Sequence, residues 1–398
     1  MAEYKYLKDE NVSGKTVVIR LGLDSNVEDG ELFESARIEK HAESLKMLSE
    51  KGAKIVALAH QGRKGREDCI SLKQHAEVIS EKLEKEVKLV TWDSDYVEAI
   101  KAMQPGDMIL MENVRFHGDE EQDFSKEEAA KVEWVEKIAS VSQLFVQNAF
   151  SVCHRPQPSV IGFTALLPSV VGPILESELK ALEHFDKGEK PCVFILGGAK
   201  VKDSIGLINE LLGKQKADRV CAGGLLGELF LKAQGKALGA KDKYFEEKGL
   251  LELLEPAKLI LDNYPEQVTL PVDLAMMNDY DEREEISLDE LPKDNMIYDI
   301  GTETVSEFKA ALKGAKLVVM NGPMGVFEKL DFELGTKKVL DAVSKARGFS
   351  LVGGGDTEAA IQQLDFQESQ FSHVSLAGKA LLQYLSGKEL PGLVALQK

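Results

Sequence analysis

The 398-residue chain rests almost throughout on one alternation. A short apolar run rich in β-branched residues stops at glycine or a polar side chain, and a stretch with apolar residues every three or four positions follows. The short runs lie at 16–20, 54–59, 87–91, 108–111 and 144–146, then at 192–196, 219–222, 258–261, 296–300, 317–320 and 350–352. The periodic stretches include 38–51, 72–83, 126–138, 204–212, 304–312 and 332–345. The first pattern reads as strand and the second as amphipathic helix. Strands that alternate with helices run parallel, because a crossover of helical length returns the chain to the same end of the sheet. The predicted class is therefore α/β, with doubly wound, Rossmann-like sheets covered on both faces. Single cores stop growing near about 250–300 residues, so a chain of this length is expected to form two domains. The segment Leu167-Pro168-Ser169-Val170-Val171-Gly172-Pro173 interrupts the alternation and precedes a long helical pattern at 174–185. That predicts one domain over 1–172 and another over 173–387, joined by a hinge helix. The charge-rich stretch 241–252 reads as a solvated helix.

With 49 basic against 67 acidic residues the net charge is −18. Such a surface repels nucleic acid and anionic lipid, so neither is an expected partner and any anion site must be local. No apolar run approaches the ~20 residues that span a bilayer, and the N-terminus is charged from Glu3, which predicts a cytoplasmic protein without membrane contact. Cys69, Cys153, Cys192 and Cys221 are scattered without the spacing of a zinc site or disulfide framework, and read as reduced thiols. Cys153 beside His154 has no base and oxyanion pattern around it that would make it a nucleophile.

In sheets of this class ligands sit beyond the carboxyl ends of the strands. In the first half those ends carry cations: Arg37, His60-Gln61-Gly62-Arg63, Arg115 and His154-Arg155. One arginine alone is an ordinary surface ion pair. Four at equivalent ends of one sheet form a basin of planar donor forks suited to carboxylate and phosphate. In the second half the ends are glycine turns: Gly197-Gly198-Ala199-Lys200, Gly223-Gly224, Asn321-Gly322-Pro323-Met324-Gly325 and Gly353-Gly354-Gly355-Asp356-Thr357. One such turn alone is just a tight bend with Asp203 or Asp356 as helix cap. Four in succession, most of them before a helix, read as a nucleotide cradle in which backbone N–H groups approach phosphate. Lys200 supplies a point charge for a transferring phosphoryl group, and Asp356 suits Mg²⁺. Ala222-Gly223-Gly224-Leu225-Leu226-Gly227 approximates a dinucleotide fingerprint, but the acidic residue required about 20 positions later is not convincingly placed. No Walker A sequence occurs. The residues point to a kinase that moves a phosphoryl group directly between a nucleotide and a small, multiply anionic metabolite.

At these residues the chain resembles phosphoglycerate kinase over essentially its whole length, in a form similar to the archaeal branch. The matching stretches are Ala59-His60-Gln61-Gly62-Arg63, Glu112-Asn113-Val114-Arg115-Phe116, Asn148-Ala149-Phe150 with His154-Arg155, Leu196 to Asp203, Asn321 to Glu328, and Gly353 to Thr357. The resemblance implies reversible transfer between 1,3-bisphosphoglycerate and ADP, giving 3-phosphoglycerate and ATP, with Mg²⁺ on the nucleotide and a hinge that closes the domains. It assigns Asp24, Arg37, His60, Arg63, Arg115 and Arg155 to the acid substrate, with Arg37 and Lys200 at the transferring group. It assigns Gly197, Gly198, Lys200, Gly223, Gly224, Asn321, Pro323, Glu328, Gly354, Gly355, Asp356 and Thr357 to the nucleotide, and Asp356 to the metal. It also implies that 388–398 packs back on the first domain; a monomer or dimer is expected, and the sequence does not distinguish the two.

The sequence departs from the family pattern in several places. Where the family carries Arg-Val-Asp-x-Asn, this chain has Arg20-Leu21-Gly22-Leu23-Asp24; the usual Asn-Asp before Ala-Phe is Gln147-Asn148; and Ser375-Leu376-Ala377-Gly378-Lys379 replaces a Ser-Thr-Gly-Gly-Gly turn. Either Asp24 takes over a substrate hydrogen bond or a different acid is bound. Lys379 either restores charge or blocks a close backbone approach. The alternative function is a paralogue with an altered acid substrate, or a nucleotide-binding sensor without catalysis.

Overall fold

The computed structural model describes residues 3–33 and 35–397; Met1, Ala2, Glu34 and Lys398, the last belonging to the expected returning segment, lie outside the described residues. The chain divides into two compact units. One runs to Leu179 and includes the residues from Glu389 onward; the other is Lys180–Lys388.

The first unit holds six strands: β1 (Thr16–Arg20), β2 (Lys54–Leu58), β3 (Lys88–Val90), β4 (Met108–Met111), β5 (Leu144–Gln147) and β6 (Ser169–Val171). They pair in parallel in the order β3-β4-β2-β1-β5-β6. β1 is buried at every position, as a strand covered on both faces must be. Its side chains nevertheless divide by the two-residue period. Val17 and Ile19 pack with Ile55, Ala57 and Val146 on one face, against α1 (Ala36–Glu50) and α2 (Lys73–Leu83). Val18 packs with Val56, Ile109 and Phe145 on the other, against α3 (Tyr96–Lys101) and α4 (Glu133–Ser140). The order reverses between β1 and β5, which places a crevice at their carboxyl ends. The proline-bearing interruption read from the sequence contains β6, and the long helix α5 (Pro173–Asp186) leads out of this unit.

The second unit repeats the plan. Its strands β7 (Cys192–Leu196), β8 (Arg219–Ala222), β9 (Val268–Thr269), β13 (Leu317–Asn321), β14 (Phe349–Gly353) and β15 (His373–Ser375) run parallel in the order β9-β8-β7-β13-β14-β15. The helices are α6 (Val201–Gly213), α7 (Gly224–Ala233), α8 (Ala240–Glu247), α9 (Leu254–Asn263), α10 (Thr302–Ala311), α11 (Leu334–Ser344), α12 (Gly355–Gln363) and α13 (Lys379–Leu385). Its reversal point lies between β7 and β13. Beside the main sheet stands an antiparallel one of β10 (Asp273–Met277), β11 (Arg283–Ser287) and β12 (Ile297–Ile300), ordered β11-β10-β12.

Four local expectations are corrected. Residues 258–261 are helical, within α9: Ala257 and Ile260, three apart, are buried while Leu259 stands exposed, and four apolar-flanked residues cannot by themselves separate strand from helix. Residues 296–300 form a strand, but in the antiparallel sheet. The stretch 126–138 is broken into the single turn Lys126–Ala129 and α4. The segment 241–252 is not simply solvated: Lys241 is buried, its Nζ 3.1 Å from Glu228 Oε2 and donating to Ile297 O at 2.7 Å. After the second unit the chain rejoins the first as α14 (Pro391–Val394), with Gly392 N–H donating to Cys153 O at 2.8 Å.

Three buried imidazoles make the first unit acid-labile. Burial, with nearby arginines, pushes His41 down to about 3; burial lowers His75 to about 4 and holds His60 well below the ordinary histidine value. The unfolded chain takes up protons near pH 6.5 that these folded rings refuse. Their contribution is therefore complete above about pH 6.5 and declines as pH falls, by about 1.4 kcal/mol per pH unit for each ring. Denaturant titrations at pH 7 and 5 should show the first unit losing stability, with His75→Gln flattening the slope. A pH-independent midpoint would contradict this account.

Candidate functional site

Six of the residues expected to form the cationic basin gather at the carboxyl end of the first sheet. Arg37 lies in the first turn of α1, where the helix dipole disfavours a cation. His60 and Arg63 follow β2, Arg115 lies in the turn after β4, and His154-Arg155 lie beyond β5, with Arg155 Nε donating to His154 Nε2 at 3.1 Å. His60 lies within the fields of Arg115, Arg37 and His154, and Arg115 within that of Arg63. Arg115 is only 4% exposed, yet its guanidinium makes no hydrogen bond or ion pair among the described residues. Burial lowers its pKa, partly offset by Asp24, Glu121 and Glu120. A buried cation left without a close partner is costly unless an anion completes it.

Asp24 is partly committed. Its Oδ1 accepts from Gly62 N–H at 2.8 Å and its Oδ2 lies 3.8 Å from His60 Nε2. Gly62 needs this anchoring because its φ is +68° and a Cβ would fall 2.1 Å from Asp68 O. Gly22 is held less tightly: a Cβ there would lie 2.9 Å from Ser151 Oγ and 3.2 Å from His41 Nε2, so the carboxylate that the family pattern has at this position would require these two side chains to shift.

Next to Gly22 one oxygen is asked to serve two donors. Gly22 N–H donates to His41 Nε2 at 2.9 Å, which leaves the proton of the neutral ring on Nδ1. That nitrogen faces Asn148 Nδ2 at 3.3 Å, while Asn148 Oδ1 accepts from Ile174 N–H at 2.9 Å near the start of α5. Rotating the amide only transfers the mismatch to Ile174. A carboxylate would accept from both donors. Asn148→Asp is expected to raise the stability of the first unit at pH 7 by about 1 kcal/mol, the usual value of one satisfied hydrogen bond. Denaturant unfolding would measure it, and a loss of stability would show that burying the charge outweighs the bond.

In the second unit the four glycine turns interlock at the reversal point. Gly197 N–H donates to Asn321 O at 2.9 Å, Gly198 N–H to Pro323 O at 2.7 Å, and Gly223 N–H to Leu196 O at 2.9 Å. A Cβ on Gly322 would meet Gly197 O at 2.3 Å, and one on Gly224 would meet Pro323 O at 2.9 Å. Asn321 Nδ2 donates to Gly353 O at 2.8 Å, and the buried Thr357 hydroxyl accepts from Gly322 N–H at 2.7 Å. Gly197, Gly223, Gly322 and Thr357 thus hold the turns against one another. The faces left open belong to Lys200, Gly355 and Asp356; a Cβ on Gly355 meets nothing within 4 Å. Lys200 Nζ, 156 residues away in sequence, lies 3.3 Å from Asp356 Oδ2. α6, α7 and α12 all begin here, at Val201, Gly224 and Gly355, without a side-chain cap. Their first-turn N–H groups and dipoles can receive an anion, and neither Asp203 nor Asp356 acts as a side-chain cap. Ser375 pairs in register with Gly353, so the turn leading to exposed Lys379 stands at the neighbouring strand end. Glu328 is exposed in the loop after β13 and makes no hydrogen bond or ion pair among the described residues.

The family model described as phosphoglycerate kinase matches residues 7–388. The chain belongs to the phosphoglycerate kinase family. It is 37% identical to the phosphoglycerate kinase of Methanothermobacter thermautotrophicus, covering 100% of this chain and 97% of that one, and 38% identical to that of Pyrococcus furiosus, covering 98% and 97%. The crystal structure of phosphoglycerate kinase from Pyrococcus horikoshii OT3 is similar with a TM-score of 0.93 at 36% identity over 98% of both chains. The structure of phosphoglycerate kinase from Coxiella burnetii gives 0.81 at 33% identity over 99% of both chains. The chain is thus a member of a kinase family that uses a nucleotide, a phosphoglycerate and a divalent metal. Among the described residues, no helix is long and apolar enough to cross a membrane.

Sequence reasoning did not single out Arg20, Glu120 or Ser159, which underlie the basin. Arg20 is buried at the end of β1, with Nε donating to Ser159 Oγ at 2.8 Å; Ser159 in turn donates to Glu120 Oε1 through its hydroxyl and to Oε2 through its N–H. A charged residue closing an otherwise apolar strand was the available signal. Cys153 is buried, and burial pushes its thiol up, away from the thiolate form a nucleophile uses.

Proposed function

We infer that the enzyme transfers a phosphoryl group reversibly between 1,3-bisphosphoglycerate and ADP, giving 3-phosphoglycerate and ATP, in the cytoplasm. The observation that carries this reading is Arg115, a buried guanidinium without a partner among the described residues, in a basin that also holds Arg37, His60, Arg63 and His154-Arg155 on a protein of net charge −18. Guanidinium forks match the phosphate and carboxylate of phosphoglycerate. Asp24, although tied to Gly62, keeps an oxygen exposed that can accept from the substrate hydroxyl. The uncapped starts of α6, α7 and α12 suit the phosphates of the nucleotide, and Lys200 offers its charge to the phosphoryl group in transit.

Asp356 fits Mg²⁺ bound together with the nucleotide. Its carboxylate is exposed at the start of α12, and among the described residues no group of three acidic, histidine or cysteine side chains would cage a metal alone. One carboxylate plus phosphate oxygens is the usual protein share of such a site. The metal would neutralise phosphate charge. The chain's own groups orient the two anions and stabilise the charge in transit, so that transfer proceeds in line without a covalent enzyme intermediate. A coupled assay with ATP, Mg²⁺ and 3-phosphoglycerate tests this. Turnover is the expected result; tight nucleotide binding without turnover would instead indicate a non-catalytic sensor.

A further inference from the structure

Beneath the basin a single polar chain runs from Glu120 through Ser159 to Arg20 and on to His60, whose Nδ1 lies 3.0 Å from Arg20 Nη2. Arg20 is 1% exposed and also donates to Leu21 O, so its guanidinium is enclosed by protein and does not reach a ligand. Guanidinium has five N–H donors and no acceptor, so a hydrogen bond at this contact requires a bare Nδ1 on His60. A neutral ring with a bare Nδ1 carries its proton on Nε2. That nitrogen faces the basin, where its neighbour is Asp24 Oδ2 at 3.8 Å.

We propose that Arg20 is a positioning residue that holds His60 as the uncharged Nε2–H tautomer, so that the ring presents a hydrogen-bond donor, rather than a titrating cation, to the acid substrate. The proposal rests on the reading of the basin as the acid-substrate site. The surroundings of His60 agree from every side. Besides burial, Arg20 at the end of β1, Arg115 after β4, Arg37 on α1 and His154 after β5 all disfavour a second proton on the ring; Asp24 is the acidic neighbour, and one of its oxygens is already engaged by Gly62 N–H. Glu120, engaged twice by Ser159, compensates the Arg20 charge within the Coulomb field that reaches it, which lets the guanidinium remain charged and donating although burial lowers its pKa to about 10. Phosphate and carboxylate accept from a neutral N–H as well as from a charged one. A fixed tautomer keeps that donor in place across the pH range in which an ordinary histidine gains or loses charge.

The experiment uses the full chain with ¹⁵N-labelled histidine and reads the His60 ring nitrogens by NMR between pH 5.5 and 7.5, with and without 3-phosphoglycerate. The wild type should show the Nε2–H pattern throughout, without titration, and a shift of Nε2 on addition of 3-phosphoglycerate. Arg20→Met combined with Glu120→Gln removes both buried charges together, so that neither is left alone, and frees the ring. Burial, Arg115 and Arg37 still hold the ring neutral, so His60 should then populate Nδ1–H alongside Nε2–H. KM for 3-phosphoglycerate should rise by about tenfold, with less change in kcat, as the Nδ1–H form withdraws the donor from the substrate. Arg20→Lys, which keeps a buried cationic donor, should recover part of the tautomer preference if the double variant fails to fold. A wild-type ring protonated on Nδ1, or one titrating near pH 6.5, overturns the lock. A locked ring whose resonances ignore saturating 3-phosphoglycerate overturns the role toward substrate together with the basin reading, and leaves only the internal hydrogen bond.

Discussion

Arg37→Ala is expected to lower kcat by about 10²–10³, the loss typical when one donor aimed at transition-state charge is removed. The expectation rests on where the side chain is. It projects from the first turn of α1, where the dipole disfavours positive charge, and its field reaches His60 and Asp24 in the basin. A residue that only bound the acid substrate would, on removal, raise KM and leave kcat alone. Steady-state kinetics in both directions separate the two outcomes, and an unchanged kcat would remove Arg37 from the transferring group.

Lys200→Ala should be at least as damaging, with kcat lower by about 10²–10³ and weaker nucleotide binding. The lysine stands immediately before α6 with its Nζ beside Asp356 Oδ2, both exposed on the same open face of the glycine turns. Asp356, read above as the metal-binding carboxylate, touches the same lysine, so the two side chains share one site. Lys200→Ala combined with Asp356→Ala should therefore lose less than the sum of the single losses, because either change alone already disrupts the charge arrangement they share. Strict additivity would mean that the two side chains act independently and that their proximity has no catalytic meaning. The exposed pair contributes little to folding, so both variants should unfold like the parent.

The large features were legible because they depend on short-range chemistry. Apolar runs buried on both faces, such as Thr16–Arg20 and Cys192–Leu196, can only be central parallel strands, and the spacing between them leaves room for crossover helices. The basin and cradle were legible for a similar reason: in such a sheet every strand end points the same way, so cations or glycines at equivalent ends share a location. Residues 258–261 misled because a four-residue apolar run has no period of its own, and the antiparallel sheet was missed because Arg283–Ser287 buries only Ile286 deeply.

From sequence alone followed the two α/β domains, the family, and which side chains gather at the carboxyl ends of the strands. Folding in three dimensions decided which of them remain available to a ligand. Gly197, Gly322 and Thr357 also hold the loops against one another, Arg115 was left without a protein partner among the described residues, and Arg20, inconspicuous in the sequence, came to lie 3.0 Å from His60 Nδ1. The reason is that hydrogen-bond capacity is finite. Whether a donor serves the fold or a substrate depends on the acceptors within about 3 Å of it, and those come from residues far away along the chain.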